Sequence, residues 1–401
     1  MASLSANFIA PLMPCNLPTR RCPVAREDAS KRILLMRLAA HGDVLMGTPL
    51  LAAIRNAWPD AHITWVVGED ARGAIEAHPD VDEILLWGTD YWTRRLRKGS
   101  PLFYPIWAYR ARALRRTLRA NAYDVFLSLQ PEEFPRLVGN VAAPLTIGVF
   151  DTFRQFHNAA DTSPHAGCYT HPFTAADLPE HRVEQYLLPL RALGLPPPPD
   201  KHMRMGFTVE DAQVAGQFLA SQGLPADRPF VTLAPMTTWP SRCWPAECYV
   251  ALGDALAGSG YPVVLIGSAR EQAAVAEIAA RMQAAPLVAT GTLSFRQMAA
   301  LLARSAALVS GDTGPMHVAA AVGTPYAALF GPTPVAGRAP LAGRGRVLMH
   351  PVPCGPCDQK VCPNTGEDFM RCMNLLTVAE VLDAVNALLE NREPESRETV
   401  L

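Results

Sequence analysis

The sequence predicts an α/β protein of two domains, each a doubly wound parallel sheet with helices on both faces. Short apolar segments alternate with segments whose apolar residues recur at helical spacing, which is typical of parallel sheets. The pattern occurs twice, before and after a proline-rich stretch at 195–200. At 401 residues the chain is long enough for two cores. Two such domains leave a cleft between their sheet ends, where open α/β sheets usually bind ligands.

The first half of the chain supplies the first sheet. Residues 1–30 are interrupted by prolines and are expected to be a loosely ordered extension, and residues 31–195 form the first domain. Short apolar runs predict strands at 31–38, 63–67, 83–87, 124–129 and 145–149. Apolar residues recur at helical spacing directly after the first strand, which predicts a helix there. The same spacing predicts helices at 71–77, 107–120 and 182–193.

The second half repeats this organisation. Consecutive prolines make residues 196–204 a stiff linker, residues 205–375 form the second domain, and residues 376–401 hold a final helix and a tail. The predicted strands lie at 230–234, 262–267, 286–289, 306–309 and 326–330. The predicted helices lie at 209–222, 245–257, 269–283, 295–304 and 378–390.

Composition narrows the class of protein. Apolar residues make up 49% of the chain, which indicates a globular protein, and a formal charge of −1 argues against general nucleic-acid binding. No apolar run approaches the ~18 residues of a membrane span, and residues 1–30 lack the layout of a secretory signal. Nine cysteines, an odd number, fit a reducing cytoplasm better than a disulfide scaffold. We therefore expect a cytoplasmic protein.

The segment 306–332 carries the clearest ligand-binding pattern. A buried strand ends in the turn SGDTG at 310–314, and Pro315 then occupies the first position of an alanine-rich helix. A strand, a glycine-flanked turn and a helix N-terminus together direct unpaired N–H groups and a positive dipole end at one spot. Such a spot suits a phosphate.

Three segments together resemble glycosyltransferase family 9, the ADP-heptose:lipopolysaccharide heptosyltransferases. They are the Gly-Asp pair at 42–43, the segment 237–245, and the pattern DTGxxH at 312–317. The resemblance covers about residues 31–390. It implies a GT-B fold, in which two Rossmann-like domains face a central cleft, and an inverting transfer without metal or other cofactor. The donor it implies is a nucleotide sugar, ADP-heptose, held mainly by the C-terminal domain.

Asp43 is the candidate catalytic residue. A carboxylate within reach of a sugar hydroxyl can accept its proton as the new C–O bond forms, and the resemblance implies this general-base role for the Asp of the Gly-Asp pair. The alternative for Asp43 is a helix N-cap. His41 is a candidate contact to the acceptor, or simply a histidine in a surface turn.

The predicted donor site begins with the segment 237–245. The hydroxyls of Thr237 and Thr238 would donate to a diphosphate, and Arg242 would offset charge on the leaving group. The family commonly has Lys-x-Trp-Pro where this chain has RCWP at 242–245, and a guanidinium differs in geometry from a lysine ammonium. The alternative is a proline-rich loop with a surface arginine.

Further donor-site candidates follow from the same resemblance. The N–H groups of Thr313 and Gly314 would hold phosphate oxygens, with the Thr313 and His317 side chains adding polar contacts; the alternative for His317 is a buried histidine satisfied by local backbone. Asp312, an anion, is expected to accept hydrogen bonds from sugar hydroxyls or from its own turn. Glu271 would bind the ribose hydroxyls, or is only an acid at a helix N-terminus.

Residues 94–119 carry nine basic residues and no acidic one, interleaved with aromatic residues. This composition suits an anionic, amphiphilic acceptor or a membrane surface, and a solvated arginine-rich helix face is the alternative. The resemblance implies that the acceptor is an anionic, lipid-linked saccharide, with peripheral contact to the inner membrane. The candidate acceptor contacts are Arg94, Arg95, Arg97 and Lys98. Nucleic acid is not an expected partner, because no RNA-recognition motif accompanies this patch.

Four cysteines lie close together in the sequence near the C-terminus: Cys354, Cys357, Cys362 and Cys372. They are compact enough for a four-thiolate zinc site, but their spacing differs from common zinc ribbons, so free thiols in a loop hairpin are favoured.

Two other functions stay open for the whole protein, a GT-B-type sugar-nucleotide 2-epimerase and a non-catalytic nucleotide-sugar-binding protein. A protein acceptor in place of a lipid also stays open.

Overall fold

The computed structural model describes residues 30–88, 103–130, 143–150 and 166–390. The predicted N-terminal extension up to residue 29 and the candidates Arg94, Arg95, Arg97 and Lys98 lie outside the described residues. The described residues form two six-stranded parallel sheets. The first comprises β1 Arg32–Met36, β2 His62–Gly68, β3 Glu83–Trp87, β4 Val125–Ser128, β5 Leu145–Val149 and β6 His171–Phe173, in the order β3-β2-β1-β4-β5-β6.

The second sheet has the same topology. It comprises β7 Val231–Ala234, β8 Val263–Leu265, β9 Leu287–Val288, β10 Ala307–Gly311, β11 Tyr326–Phe330 and β12 Gly345–Met349, in the order β12-β11-β10-β7-β8-β9. We call the described residues up to 193 the N-terminal lobe and residues 207–390 the C-terminal lobe. The predicted linker at 196–204 lies between these lobes.

Helices cover both faces of each sheet. Those of the N-terminal lobe are α1 His41–Met46, α2 Pro49–Ala57, α3 Phe103–Ala120, α4 Arg182–Leu187 and α5 Pro189–Leu193. Those of the C-terminal lobe are α6 Val209–Ser221, α7 Ala246–Gly258, α8 Gln272–Arg281, α9 Phe295–Arg304, α10 Gly314–Ala321, α11 Val335–Arg338, α12 Arg371–Asn374 and α13 Val378–Glu390. The last helix, α13, packs against α7 and the second sheet.

The sheet order positions the ligand-binding loops. In each sheet the chain runs outward from a central strand, then returns to pair on its other side: β4 beside β1, and β10 beside β7. Ligands in such sheets bind outside the carboxyl ends of the strands at this reversal. The loops after β1, β7 and β10 therefore start from the middle of their sheets. The predicted α/β class with two doubly wound parallel sheets is confirmed.

Some predicted elements differ in the structure. The edge strands β6 and β12 were not predicted, because their partly exposed residues do not form an apolar run. The helix predicted at 71–77 is instead a 3-10 helix, Glu69–Ala74. The helix predicted at 182–193 divides into α4 and α5 at Pro189, which lacks the N–H needed to continue a helix and occupies a first helical position instead.

Gly206 marks a close approach between the end of the linker region and the N-terminal lobe. A Cβ at this position would lie 1.8 Å from the backbone carbonyl oxygen of Ala77. We expect Gly206→Ala to lower the free energy of unfolding by about 2–4 kcal/mol, since backbone must move to relieve the overlap. Urea unfolding measures this. In the control Gly258→Ala the new methyl meets no atom within 4 Å, and equal losses for the two variants would contradict the prediction.

His78 makes stability depend on pH. Its side chain is buried, and burial together with the charge of Arg204 lowers its pKa from 6.5 to about 4, although Asp80 opposes the shift. Between these pH values the unfolded chain binds a proton that the folded chain does not. Stability that is present above pH 6.5 is therefore lost as the pH falls towards 4, by up to about 3 kcal/mol. Urea titrations at pH 7 and pH 5 should show this loss, and His78→Gln should reduce it; an unchanged slope would contradict the assignment.

Candidate functional site

A cavity of about 580 Å³ lies between the two lobes. From the N-terminal lobe it is lined by residues 40–43, Met46 and Arg182. From the C-terminal lobe it is lined by residues that follow the carboxyl ends of β7, β8, β9 and β10, and by Arg338. The carboxyl ends of the central strands of both sheets therefore open into one space, where ligands of open α/β sheets usually bind.

Asp43 lies in the first turn of α1 and lines this cavity. Its Oδ2 lies 2.8 Å from Nη2 of Arg37, and its Oδ1 lies 4.0 Å from Nε of Arg182. The Ala40 N–H also donates to Oδ2 at 3.4 Å. Both guanidiniums lie over the ring of Tyr186 on α4. The alternative of an N-cap is wrong, because the N-cap of α1 is Ala40 and Asp43 is the third residue of the helix. The Asp43 side chain bonds back to the Ala40 N–H and also lines the cavity.

The electrostatic environment keeps the Asp43 carboxyl ionised. Burial by itself would raise its pKa, but the charges of Arg37 and Arg182 and the hydrogen bonds from Arg37 and Ala40 outweigh it, so the net pKa is lowered. An ionised carboxylate is the form that can accept a proton. Neither arginine was predicted for the site. Arg37 lies in the segment predicted as the first strand and Arg182 in the helix predicted at 182–193, and neither local pattern indicates that the side chain reaches Asp43.

Two contacts join the lobes beside Asp43. A Cβ at Gly42 would lie 2.7 Å from Cδ2 of His317, so the glycine lets α1 approach the ring of that buried histidine. The His41 ring stacks on Phe295 of α9, with centroids 4.0 Å apart, and also bonds the Asp70 backbone. His41 therefore holds the lobes together at the cavity wall, and its contact with an acceptor stays a prediction.

His317 itself is at the N-terminal end of α10 and lines the cavity. Burial lowers the pKa of its imidazole. Its Nδ1 is buried without a hydrogen-bond partner among the described residues, so the alternative of a histidine fully satisfied by local backbone is not what the structure has.

Arg242 and Asp312 form a buried ion pair in the cavity wall that the C-terminal lobe provides. Nη1 of Arg242 lies 3.3 Å from Oδ2 of Asp312 and donates to the Asp312 carbonyl oxygen at 3.1 Å. The guanidinium carbon of Arg242 lies 3.6 Å from the centre of the Trp239 ring. Within the described residues, Nε and Nη2 of Arg242 have no hydrogen-bond partner. The alternative of a surface arginine is wrong for Arg242, which is buried. Asp312 pairs with cations, and hydrogen bonds from sugar hydroxyls to its carboxylate stay a prediction.

Arg338 joins this cluster and was missed at the sequence level. It lies 3.9 Å from Oδ2 of Asp312 and makes two hydrogen bonds to the Asp358 carboxylate, at 2.8 and 3.1 Å. Arg338 and Lys360 also lie over the Trp239 ring, at 5.6 and 5.7 Å. Three cationic groups therefore lie over one indole, and the two arginines among them pair with carboxylates. No sequence pattern indicates a functional role for Arg338, because it lies on a four-residue helix outside the segments that resemble the family.

The remaining donor-site candidates fall into two groups. Thr238, Thr313 and Gly314 line the cavity, with α10 beginning at Gly314. Thr237 is buried and does not line the cavity, and its hydroxyl donates to the Trp239 carbonyl at 2.6 Å. The structure therefore does not support the predicted hydrogen bond from Thr237 to a diphosphate.

Glu271 lines the cavity and also stabilises its own helix terminus. Its Oε2 accepts hydrogen bonds from the Ser268 N–H at 2.6 Å and the Ser268 hydroxyl at 2.9 Å. The capping role, which was the alternative, is therefore present. A ribose contact through this carboxylate stays a prediction.

The four cysteines near the C-terminus are free thiols: Cys354, Cys357, Cys362 and Cys372. Burial and the neighbouring thiols raise the pKa of Cys372. In the described part of the chain, no group of three or more His, Cys, Asp or Glu side chains is arranged to hold a metal ion. The zinc alternative therefore has no support from the structure.

Comparisons with known proteins agree on one family. The model of glycosyltransferase family 9 (heptosyltransferase) matches residues 111–367. Lipopolysaccharide heptosyltransferase 3 of Escherichia coli is 28% identical over 301 residues, covering 73% of this chain and 80% of that protein. Lipopolysaccharide heptosyltransferase 1 of Pseudomonas aeruginosa is 28% identical over 339 residues, covering 82% of this chain and 87% of that protein.

Solved structures share the fold. A family 9 glycosyl transferase from Veillonella parvula superposes with a TM-score of 0.72 at 25% identity, covering 90% of this chain and 97% of that one. The ADP-heptose lipopolysaccharide heptosyltransferase II of E. coli superposes with a TM-score of 0.67 at 24% identity, covering 90% and 98%. With the two parallel sheets, these similarities confirm the predicted GT-B fold. Among the described helices, none has both the length and the apolar character needed to cross a bilayer.

Proposed function

We propose a function for this chain from the premise that it belongs to glycosyltransferase family 9, the heptosyltransferases. It is a glycosyltransferase that moves a heptose onto a hydroxyl of the lipopolysaccharide inner core. The donor we propose is ADP-heptose, the sugar nucleotide in the name of the E. coli relative. One observation carries the proposal: a single interlobe cavity has an ionised carboxylate on one wall and a cluster of guanidiniums with a helix N-terminus on the other.

The proposed mechanism divides the work between the lobes. Asp43 accepts the proton of the acceptor hydroxyl while its oxygen attacks the anomeric carbon. The bond to the diphosphate breaks on the opposite face of the sugar, so the configuration is inverted. Arg242 and Arg338 stabilise the negative charge that develops on the departing diphosphate. Thr313 and Gly314, at the N-terminus of α10, contribute backbone N–H groups and the positive end of the helix dipole.

Two further parts of this proposal concern the donor. Glu271 would accept hydrogen bonds from the ribose through its carboxylate, and Thr238 and His317 would add polar contacts.

The positive charge that a divalent ion supplies in other transferases would come from the guanidiniums of Arg242 and Arg338, so we propose a transfer that requires no metal. Adding a chelator should then leave turnover unchanged, and a loss restored by Mg²⁺ would contradict this part.

The test of the function is a transfer assay with purified components. We expect release of ADP only when ADP-heptose and a lipopolysaccharide inner-core acceptor are both present, with NMR of the product showing an inverted anomeric centre. Isomerised nucleotide sugar without any acceptor would favour the 2-epimerase instead. Donor binding with no ADP release from any acceptor, lipid or protein, would favour the non-catalytic alternative.

We also propose peripheral contact of α3 with the anionic cytoplasmic surface of the inner membrane. One face of α3 is buried through Leu114 and Leu118, and the opposite face exposes Arg112 and Arg116, with Tyr109 74% exposed nearby. Basic residues beside an exposed aromatic ring favour an anionic lipid surface. This contact, with a cytoplasmic location, would bring the cavity to a lipid-linked acceptor.

Vesicle sedimentation tests the membrane contact. Wild-type protein should bind phosphatidylglycerol vesicles and not phosphatidylcholine vesicles. The variant R112E/R116E should lose this binding, and the control R281E/R346E, which reverses two exposed arginines of the C-terminal lobe, should keep it. Equal loss in both variants would mean that only net charge matters.

A further inference from the structure

His181 joins the two lobes through a single ring. It lies at the N-terminal end of α4, where its Nδ1 accepts a hydrogen bond from the Val183 N–H at 3.1 Å. Its Nε2 lies 2.7 Å from the carbonyl oxygen of Ala339, which follows α11 in the C-terminal lobe. The N–H can only donate and the carbonyl can only accept, so the ring is the neutral tautomer with its proton on Nε2.

The two segments that His181 joins each carry an arginine of the cavity. Arg182 follows His181 and lies 4.0 Å from the Asp43 carboxylate. Arg338 precedes Ala339 and lies 3.9 Å from the Asp312 carboxylate. The backbones also approach closely here, because a Cβ at Gly337 would lie 3.3 Å from a carbonyl oxygen of the N-terminal lobe. The ring therefore sits one residue away from each wall of the site.

Other groups around the ring leave it in the neutral form. Its side chain is buried, and burial lowers its pKa, as does Lys201, although the Ala339 carbonyl, Glu184 and Glu180 oppose the shift. Neutral imidazole is the form that both hydrogen bonds require. A protonated ring would put a second N–H against the Val183 N–H and lose the helix cap.

We propose that His181 is a positioning residue for the transfer, because its bond to Ala339 fixes the Asp43–Arg182 wall at a set distance from the Arg338–Asp312 wall. This inference rests on the proposed function. An in-line substitution needs the base and the leaving-group cluster on opposite sides of the anomeric carbon. A shift of ~1 Å in the position of either group can lower the rate about 100-fold. His181 itself does not line the cavity and acts only through the two segments that it connects.

The variant His181→Asn separates the two hydrogen bonds. Asparagine is a good N-cap and can still accept from the Val183 N–H, but its shorter side chain does not reach the Ala339 carbonyl. We expect kcat for transfer to fall by about 10- to 100-fold, with the affinity for ADP and the melting temperature close to wild type. The control Glu76→Gln weakens a different interlobe contact, the 3.4 Å ion pair with Arg296, and should keep wild-type kcat.

Three outcomes decide the proposal. Wild-type kcat in His181→Asn would overturn it, and so would an equal loss of ADP affinity or stability, which would indicate only a structural role. Hydrogen exchange provides a readout that does not need transfer. His181→Asn should speed exchange in peptides covering α4 and α11, and unchanged exchange would contradict a connection of the lobes through the His181–Ala339 hydrogen bond. If wild-type protein transfers no heptose while this exchange effect is present, the proposed function is wrong, but the His181–Ala339 hydrogen bond still connects the two lobes.

Discussion

Asp43→Asn should lower kcat for heptose transfer by about 10²- to 10⁴-fold, the range expected when a general base is lost. The amide has nearly the same shape as the carboxylate but cannot accept the proton of the acceptor hydroxyl. Affinity for ADP should stay within about twofold of wild type, because the donor cluster belongs to the other lobe. Isothermal titration with ADP and a steady-state transfer assay measure the two quantities separately.

A matched control guards against an indirect effect through Arg37. Asp82 is another aspartate of the N-terminal lobe that pairs with an arginine, 3.1 Å from Arg55, and it does not line the cavity. Asp82→Asn should therefore keep wild-type turnover. If Asp43→Asn retained turnover, or lost activity only in proportion to a loss of folded protein, Asp43 would not be the base.

The pH dependence of turnover gives an independent check on Asp43. Arg37 and Arg182 help to keep its pKa below the ordinary value of 3.8, so its basic form persists throughout the mildly acidic range. Removing a positive neighbour raises the pKa of a carboxyl. In Arg182→Met the acid limb of the rate profile should therefore move to higher pH, and an unmoved limb would show that this limb reports another group.

Arg242→Met should be the most damaging substitution on the donor side. It removes a positive charge from the place where the diphosphate becomes more negative, so we expect kcat/KM to fall by about 10²- to 10³-fold. It also leaves the buried Asp312 carboxylate with Arg338 at 3.9 Å as its remaining arginine partner, so stability should fall by about 3 kcal/mol. Steady-state kinetics and urea unfolding measure these two losses.

A double variant separates the two losses. In Arg242→Met/Asp312→Asn both buried charges are gone, so most of the stability should return while activity stays low. Arg242→Lys keeps the charge but loses the planar group that stacks on Trp239, and an intermediate rate is expected. Recovery of activity in the double variant would mean that Arg242 serves only to neutralise Asp312.

Much of the fold could be predicted from the sequence because its signals are local. A buried parallel strand is a short apolar run, and β1 and β10 were located by that criterion. The turn at 310–314 and Pro315 predicted a helix N-terminus, and α10 begins at Gly314. Partly exposed edge strands have no such run, so β6 and β12 were missed.

The sequence by itself determined that this chain has two parallel sheets, that Asp43 follows the first strand, and that a helix N-terminus follows β10, because each depends on residues close together in the chain. Only the tertiary structure decided the partners of those residues. Arg37 and Arg182 meet Asp43, Arg338 meets Asp312, and His181 reaches Ala339 through contacts between distant segments. Which charge faces which depends on how the two lobes meet, and no local pattern encodes that arrangement.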